Sequence, residues 1–489
     1  MKNNIIKYIS IVLIVGLITA CDKDFETINQ NPNAPLAVPG SLLLPEIIRG
    51  SINSVTGESW SIGNIVAQHT AKIQFVNEDR YLWGERNEIW NSFYGRLRNV
   101  ENLLTGARTA KQANYEAVGL IMKSWMYATL TDCYGDVPYS KAIQAKSGEV
   151  NSPAYDTQES IYAGILADLA KANTIIGTTT EKVDGDILYN GNMTQWRRLA
   201  NSLRVRYMMR ISAKKNVSAD LKALVDNATQ NPLFGSNTDN ATLTYLSAAP
   251  NQFPLHTSRV GSFDEIRLSF RLDSVLEGFN DPRLTIFARP TASSTTTPQY
   301  VGIPNGLNDN DALLFNGGPQ NVSRIGALFF ENAITTQGLQ AARGVLMTYA
   351  ELQFLLAEAA QKGLITGDAK GFYEKGIASS FTYYGLTMPA DYLTRSGVGF
   401  TSATATTQIA EQKWISLFFQ GIEAWLDWRR TGLPAIKPGA ANLNNNRIPV
   451  RFIYPTSEQA LNAANRKEAA DRQFGATGED INGKVWLIK

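Results

Sequence analysis

Apolar residues recur three and four positions apart through most of this chain. Between Tyr115 and Thr129 the apolar positions are Val118, Met122 and Trp125, a spacing that places them on one face of an α-helix. The same spacing is found in residues 90–104, 161–169 and 199–211. These patterns predict an all-α fold.

Two helices are predicted side by side within residues 348–385. Ala357, Ala360 and Gly363 allow the first helix to pack closely, and a Gly-Asp turn precedes the second. Helix pairs with small residues at one crossing and aromatic residues at the next are typical of stacked tetratricopeptide-type units. No clean period of about 34 residues is visible, so any repeats are degenerate. On these patterns alone, another α-helical bundle is the alternative.

A long irregular segment, residues 289–344, interrupts the helical pattern and is rich in Ser, Thr, Pro, Asn and Gly. A segment of this length without helical periodicity in a compact protein is usually functional or disordered. The apolar residues Tyr300 and 313–315 predict that it is ordered and packed against the helices. Residues 308–311, Asn-Asp-Asn-Asp, have oxygen ligands for a structural Ca²⁺, but they lack EF-hand spacing, so a solvated turn is favoured.

The N-terminus has the pattern of an export signal. Lys2 and Lys7 precede an apolar run over residues 9–18, and a small-residue cleavage site ends at Cys21. This order predicts a signal peptide over residues 1–20, too short to span a bilayer permanently. A cysteine directly after the cleavage site is the lipobox of bacterial lipoproteins, so Cys21 is predicted to carry acyl chains such as palmitate. The alternative is a plain signal peptide with an incidental cysteine.

Beyond the signal, residues 21–40 are rich in Pro and Asn and are predicted to form an extended arm. Residues 41–489 are predicted to form one helical domain. The chain is 44% hydrophobic and 18% charged over 489 residues, which is enough for a large core.

Charge and cysteine content exclude some classes of protein. Cleavage removes Lys2 and Lys7 from the 46 basic residues, leaving 44 against 44 acidic ones. A neutral chain argues against nucleic acid, whose phosphates are bound mainly by basic residues. Acylation of Cys21 would leave Cys133 without a partner, so no intrachain disulfide is expected.

Catalytic motifs are sparse. The chain has two histidines, His69 and His256, and no HExxH, CxxC or GxSxG motif. His69 falls on an apolar helical face and is predicted to be a satisfied, partly buried histidine and not a ligand or a base. Glu423 and Asp427 lie one helical turn apart before two arginines, which favours an ion-paired helix end over the two separated carboxyls of a glycosidase.

A series of segments, in order behind the lipobox, resembles one known family over nearly the whole chain. They are DFETINQNPNAP, AVGLIMKSWMYATLTDCYGDVPYSKA, WRRLANSLRVRYMMRIS, LMTYAELQFLLAEAAQKG, QKWISLFFQGIEAWLDWRRTGLP and RIPVRFIYPTSE. Together they are similar to the SusD/RagB family, the surface nutrient-binding lipoproteins of Bacteroidetes.

This resemblance implies a right-handed stack of degenerate tetratricopeptide-like helix pairs with long irregular loops that form the ligand site. It also implies a partner, the SusC-type TonB-dependent outer-membrane β-barrel. The acids Asp22, Asp24 and Glu26 resemble the signal that sends such lipoproteins to the cell surface. The implied activity is binding of oligosaccharides for import, without catalysis and without a cofactor. Oligopeptides or another nutrient are the alternative ligands, and a surface glycoside hydrolase is disfavoured.

Sugars stack their C–H faces on aromatic rings, so aromatic residues in loops are the candidate ligand-binding residues. Residues 60–94 contain aromatic residues at twice the 10% average of the chain. The candidates are Trp60, Tyr81, Trp83, Phe253 and Tyr300. Because Trp83 is predicted to lie in a loop, its truncation is expected to weaken binding without lowering the melting temperature.

Overall fold

Pairs of helices in sequence order pack against one another to form most of the fold. The structure is a computed structural model. It describes residues 38–144, 148, 150–246, 249, 251–255, 258, 260–330, 342–475 and 478–489. Gly40–Lys489 forms one compact unit. Cys21, His256 and the predicted signal peptide lie outside the described residues, as does the predicted arm except for its last three positions, 38–40.

The helices of nine or more residues are α1 Gly40–Glu58, α3 Glu88–Thr109, α4 Ala113–Tyr134, α5 Gln158–Ile175, α6 Met193–Ile211, α7 Ser218–Asp226, α9 Phe270–Gly278, α12 Tyr349–Gln361, α13 Ala369–Tyr383, α14 Ala405–Ser416, α15 Gly421–Thr431 and α17 Ala463–Phe474. The shorter ones are α2 Asn64–Val66, α8 Val260–Asp264, α10 Leu284–Phe287, α11 Asp309–Leu314 and α16 Thr456–Leu461. A π-helical turn, Ser59–Gly63, joins α1 to α2. Helices α3, α4, α5 and α6 pack in sequence order, and α12 packs on both α13 and α14.

Six short strands accompany the helices in the described part of the chain. They are β1 Thr70–Lys72, β2 Val137–Pro138, β3 Tyr155–Asp156, β4 Ala241–Leu243, β5 Ile266–Leu268 and β6 Gly344–Met347. The antiparallel pairs are β1 with β5, β2 with β3 and β4 with β6. Each sheet has two strands, so the sheets tie loops together and the helices carry the core.

Local sequence sets several helix ends. Thr348 caps α12 by accepting a hydrogen bond from the backbone N–H of Glu351, at 3.2 Å, and Asn192 caps α6 in the same way. Helix α4 is terminated by Gly135, which has a φ of +91°. A Cβ at this position would also collide with the Gln473 side chain. The predicted helix pair of residues 348–385 is confirmed as α12 and α13.

A buried ion-pair network connects the helices. On α6, Arg206 donates to both carboxylate oxygens of Glu351 on α12, at 2.6 and 2.5 Å. Arg210, one turn later, pairs with Glu423 of α15 and with Asp132 of α4. Both arginine side chains are 3% exposed.

The second half of the buried ion-pair network lies between α12, α14 and α15. Arg430 donates to both oxygens of Glu358, each at 2.6 Å, and Lys413 pairs with Glu358 and Asp427. Burial opposes ionisation of Asp427, but Lys413 and Arg430 outweigh it and hold its pKa below its usual range. The predicted ion pairing of Glu423 and Asp427 is confirmed, with partners on α6 and α14 as well as on α15 itself.

The predicted packing of residues 289–344 needs correction in its details. Residues 289–330 are ordered, as expected. Tyr300 and Phe315 are half-buried and pack against the core, as predicted, whereas Leu313 and Leu314 are exposed. The segment also packs through Ile303, Ala312 and Val322, and Ala312 is the buried residue of α11.

We expect Arg206→Met to lower the free energy of unfolding by about 3–5 kcal/mol, because Glu351 would remain as a buried charge without its partner. Denaturant unfolding of the purified protein measures the change. Lys467→Met, in a pair with Asp471 that is mostly exposed, is the control and should change stability by less than about 0.5 kcal/mol. The double variant Arg206→Met/Glu351→Leu should recover most of the loss. Equal stabilities of the two single variants would contradict this role of the network.

Candidate functional site

Three loop segments that are distant in sequence meet on one side of the protein. They are residues 68–87, 300–322 and 437–447, and we call them the loop face. The Gln68 side chain donates to the carbonyl of Lys437 at 2.6 Å. The backbone N–H of Val76 donates to the Asp309 carboxylate at 3.3 Å. The loop face is therefore one connected surface.

A buried polar contact between Asp79 and Asn305 joins the first two segments. The Asn305 amide donates to Asp79 at 2.7 Å and to the Thr70 carbonyl at 2.8 Å, and it accepts from Ser269 at 2.7 Å. Burial raises the pKa of Asp79 to about 6, against the opposing hydrogen bonds from Asn305 and the Lys72 N–H. Such a satisfied buried contact fixes the loops above it.

The third segment is held by Arg80 and by a close approach of two glycines. The Arg80 side chain donates to the Ala441 carbonyl, and its own carbonyl accepts from the Leu443 N–H, both at 2.8 Å. A Cβ on Gly439 would lie 1.9 Å from the Asn305 carbonyl, and Gly306 has a φ of +68°. Only glycine fits at this contact.

Left-handed backbone is concentrated on the loop face. Eleven non-glycine residues with positive φ occur in the described chain, and six of them lie in these three segments. They are Gln68, Phe75, Tyr81, Asn316, Asn445 and Asn446. Such conformations cost free energy and persist where surrounding contacts fix them, which is common at binding sites.

The loop face also carries exposed apolar side chains. Five of the ten large hydrophobic residues exposed in the described chain lie here. They are Phe75, Leu82, Leu313, Leu314 and Leu443. A clustered set of exposed apolar groups beside amides and charged residues indicates an interaction surface.

Two of the predicted ligand-binding residues lie in the core. Trp60 is 8% exposed and stacks on Phe263 and Phe419, with ring centroids 4.4 and 5.5 Å apart. It lies inside the π-helical turn after α1. Phe253 is 6% exposed and contacts Tyr245 and Phe419. Both rings are therefore largely covered by other aromatic side chains in this structure.

The other three predicted residues lie on the loop face. Tyr81 is 1% exposed, so its ring supports the surface from below. Trp83 and Tyr300 are half-buried, with part of each ring accessible. The rings of Tyr81 and Trp83 contact each other, with centroids 6.3 Å apart, and Tyr300 belongs to a different segment of the loop face. A ligand-binding role for the five residues stays a prediction.

Phe75 is the candidate that sequence reasoning missed. Its side chain is 67% exposed on the loop face, and its φ is +51°. It falls within the aromatic-rich stretch of residues 60–94, which was the available signal. Its exposure depends on a left-handed conformation that apolar spacing does not reveal.

A separate cavity of about 250 Å³ lies away from the loop face. Its lining includes Tyr383, Tyr384, Phe418, Arg343 and Gln420. None of the five predicted residues lines it. Its volume is below the range of about 300–1,000 Å³ typical of ligand pockets.

The remaining polar candidates have structural roles. His69 is buried more completely than predicted, and it lies just before β1 and not on a helix. Its Nε2 donates to the Trp414 carbonyl at 2.9 Å, and burial lowers its pKa to about 3, so it is neutral at pH 7. Asn308 caps α11 by accepting from the Asp311 N–H. Within the described residues no cluster of three or more His, Cys, Asp or Glu side chains is arranged to hold a metal.

A family model described as SusD-like, starch-binding and associating with the outer membrane matches residues 32–455. The chain belongs to the SusD-like family. The resemblance derived from the sequence motifs is thereby confirmed. SusD-like proteins are binding proteins of the outer membrane. No helix among the described residues is both long and apolar enough to cross a membrane.

Solved structures show the same fold. A chitin-binding protein is 28% identical, with 92% of this chain and 99% of the other covered and a TM-score of 0.79. A SusD homologue from Bacteroides fragilis is 29% identical, with the same coverage and a TM-score of 0.80. A chitin-binding SusD homologue from Flavobacterium johnsoniae is 23% identical over 92% of this chain and 98% of its own, with a TM-score of 0.76, a likeness that concerns the fold alone. No curated protein sequence matches the chain.

The expectation that Trp83→Ala spares the melting temperature does not hold for this structure. The indole ring lies 6.0 Å from the rings of both Trp425 and Phe452, and its N–H donates to the Glu78 carbonyl at 3.0 Å. We expect Trp83→Ala to cost about 2 kcal/mol of unfolding free energy, since a half-buried ring is removed. Denaturant unfolding checks this, and a loss below about 0.5 kcal/mol would contradict it.

Proposed function

We propose that this SusD-like protein binds oligosaccharides on its loop face and delivers them to an outer-membrane transporter, without cleaving them. The observation that carries the proposal is the exposed Phe75 ring on a surface that also presents Trp83 and Tyr300. Rings of this kind stack on the apolar faces of sugars, while neighbouring amides and charged groups meet the hydroxyls. The starch-binding description of the family and the chitin-binding relative support a glycan as the ligand.

The pair of carboxylates that the sequence singled out does not favour a glycosidase. Asp427 is engaged by Lys413 and Arg430, and Glu423 is engaged by Arg210. A glycosidase needs one carboxyl that can donate a proton and a second that can attack or activate water. Neither Glu423 nor Asp427 is available for these roles, so binding is the activity that the geometry supports.

We expect Phe75→Ala to weaken oligosaccharide binding about tenfold, because one stacked ring contributes about 1 kcal/mol beyond the area that it buries. Isothermal titration with maltooligosaccharides, chitooligosaccharides and a mixed oligopeptide of similar size measures affinity and identifies the ligand class. The melting temperature should not change, since the ring is 67% exposed.

Leu461→Ala is the matched control, because Leu461 is an exposed apolar residue on α16 and belongs to none of the three loop-face segments. It should bind as the parent protein does. Equal affinity of the Phe75 and Leu461 variants would place the site elsewhere. Release of shorter sugars during incubation would refute the non-catalytic role, and tight binding of the peptide alone would make oligopeptides the ligand.

Membrane attachment and partnership complete the proposal. An acylated Cys21 anchors the protein at the cell surface, because several acyl chains on one residue hold a protein at a membrane without a transmembrane helix. The partner proposed from the family resemblance is a SusC-type TonB-dependent β-barrel. The signal-peptide and lipobox pattern of the first 21 residues supports the anchor.

We expect Cys21→Ser to shift the protein out of the membrane fraction, because the acyl chains would have no attachment site. Cell fractionation tests the lipid anchor. Mild detergent extraction tests the partner, because the parent protein is expected to co-purify with a much larger barrel. Full membrane retention of the Cys21 variant would disprove the lipid anchor. Repeated isolation of the parent protein alone, from cells that produce the barrel, would count against the partner.

A further inference from the structure

Three arginines lie side by side across adjacent extended segments next to the loop face. Arg267 of β5 is the antiparallel bridge partner of Arg324. Arg324 in turn lies opposite Arg289, since Ala288 bridges Ile325 and the Arg289 N–H donates to the Arg324 carbonyl at 2.8 Å. Residues directly opposite in antiparallel strands project from the same face. We call these three residues the arginine row.

Like charges placed directly opposite each other destabilise a sheet. Among the described residues, the acid that pairs with the arginine row is Asp264. Both of its carboxylate oxygens accept hydrogen bonds from Arg324. Arg289 has contacts of its own and contributes its positive charge to the row. Asp264 thus neutralises Arg324 and leaves the neighbouring charge of Arg267 uncompensated.

Arg267 is buried without an acceptor. Arg267 is only 6% exposed. The Nε and Nη1 atoms of its side chain are buried, and they have no hydrogen-bond partner in the described part of the chain. Burial lowers the pKa of Arg267 to about 10. The negative charge of Asp264 opposes this shift, whereas the positive charges of Arg324 and Arg289 act in the same direction as burial. A guanidinium with a pKa of 10 is still charged at pH 7, and a buried charge without a partner is costly.

We propose that the arginine row is a binding site for an oxyanion, such as a sulfate, phosphate or carboxylate group. Guanidinium N–H groups donate strong charge-assisted hydrogen bonds to such oxygens, and the Nε and Nη1 of Arg267 have no acceptor among the described residues. The side chain of Arg324 is 33% exposed, so the row is open to solvent at that end. The anion compensates the charge that Asp264 leaves unbalanced. This site is distinct from the aromatic surface proposed for oligosaccharides.

Inorganic sulfate tests the site directly on the purified full domain. Sulfate should raise the melting temperature by about 2–5 °C and saturate in the low millimolar range, because a ligand that binds only the folded state stabilises it. Sodium chloride at the same ionic strength is the reference. General exclusion of sulfate from protein surfaces also stabilises, but it grows with concentration without saturating.

Arg267→Met should abolish the saturable shift, and the variant should be at least as stable as the parent protein without sulfate. Arg98→Met is the matched control, since Arg98 is an exposed arginine on α3, and it should keep the full shift. An equal saturable shift in all three proteins would overturn the proposal. If Arg267→Met does not fold, Arg324→Gln replaces it, with an affinity for sulfate weakened about tenfold. A parent protein that binds no sulfate in equilibrium dialysis would overturn the proposal whatever the variants do.

The source of the anion is resolved by comparing glucose 6-sulfate, inorganic sulfate and glucose. If the sugar sulfate binds about tenfold more tightly than inorganic sulfate, the arginine row recognises a charged group on a glycan. Equal affinities would show a site for free oxyanions. Phe75→Ala should leave the sulfate shift unchanged, so failure of the arginine row and failure of the oligosaccharide site are distinguishable.

Discussion

The fold depends on charges that are buried between helices and satisfied there. Arg206 and Arg210 on α6 pair with carboxylates on α4, α12 and α15, and Arg430 closes the contact between α12 and α15. Breaking one partner of such a pair leaves an uncompensated buried charge, so each pair strongly disfavours any other helix arrangement. Apolar packing supplies the driving force for association, and the buried ion-pair network selects one register of the helices.

A scaffold fixed in this way can support loops that are themselves costly. Phe75, Tyr81 and Asn316 adopt left-handed conformations that an isolated loop would not hold. The contact of Asn305 with Asp79 joins two segments of the loop face, and the hydrogen bond from Ser269, which caps α9, connects Asn305 to the helices. The result is a surface whose exposed ring is held in place before any ligand arrives, which lowers the entropy lost on binding.

The loop face and the arginine row differ in their chemistry. Phe75 and its neighbours present apolar groups that suit the faces of neutral sugars. The arginine row presents guanidinium groups, one of which lacks an acceptor, and these suit an oxyanion. Both depend on short extended segments: β1 and β5 pair at residues 70–72 and 266–268, and Arg267 lies in that pair. The small sheets thus position functional groups, although they contribute little to the core.

The sequence by itself determined the helices, the family and the position of the irregular segments. Apolar spacing is a local property, so the stripe from Tyr115 to Thr129 and the pair α12 and α13 could be read directly. The arginines beside Glu423 and Asp427 likewise indicated ion pairing. The partners on other helices, Arg210 and Lys413, could not be deduced because those contacts span long stretches of chain.

Only the tertiary structure decided which aromatic residues face solvent. Trp60 and Phe253 looked like loop or helix-end rings, yet they pack against Phe419 from a distant helix junction. Phe75 had the same composition signal and is exposed. The arginine row is likewise invisible in the sequence, since residues 267, 289 and 324 are brought together by strand pairing. The burial of a side chain and the charges around it are set by contacts between residues distant in sequence. Helix formation, in contrast, is set by residues a few positions apart.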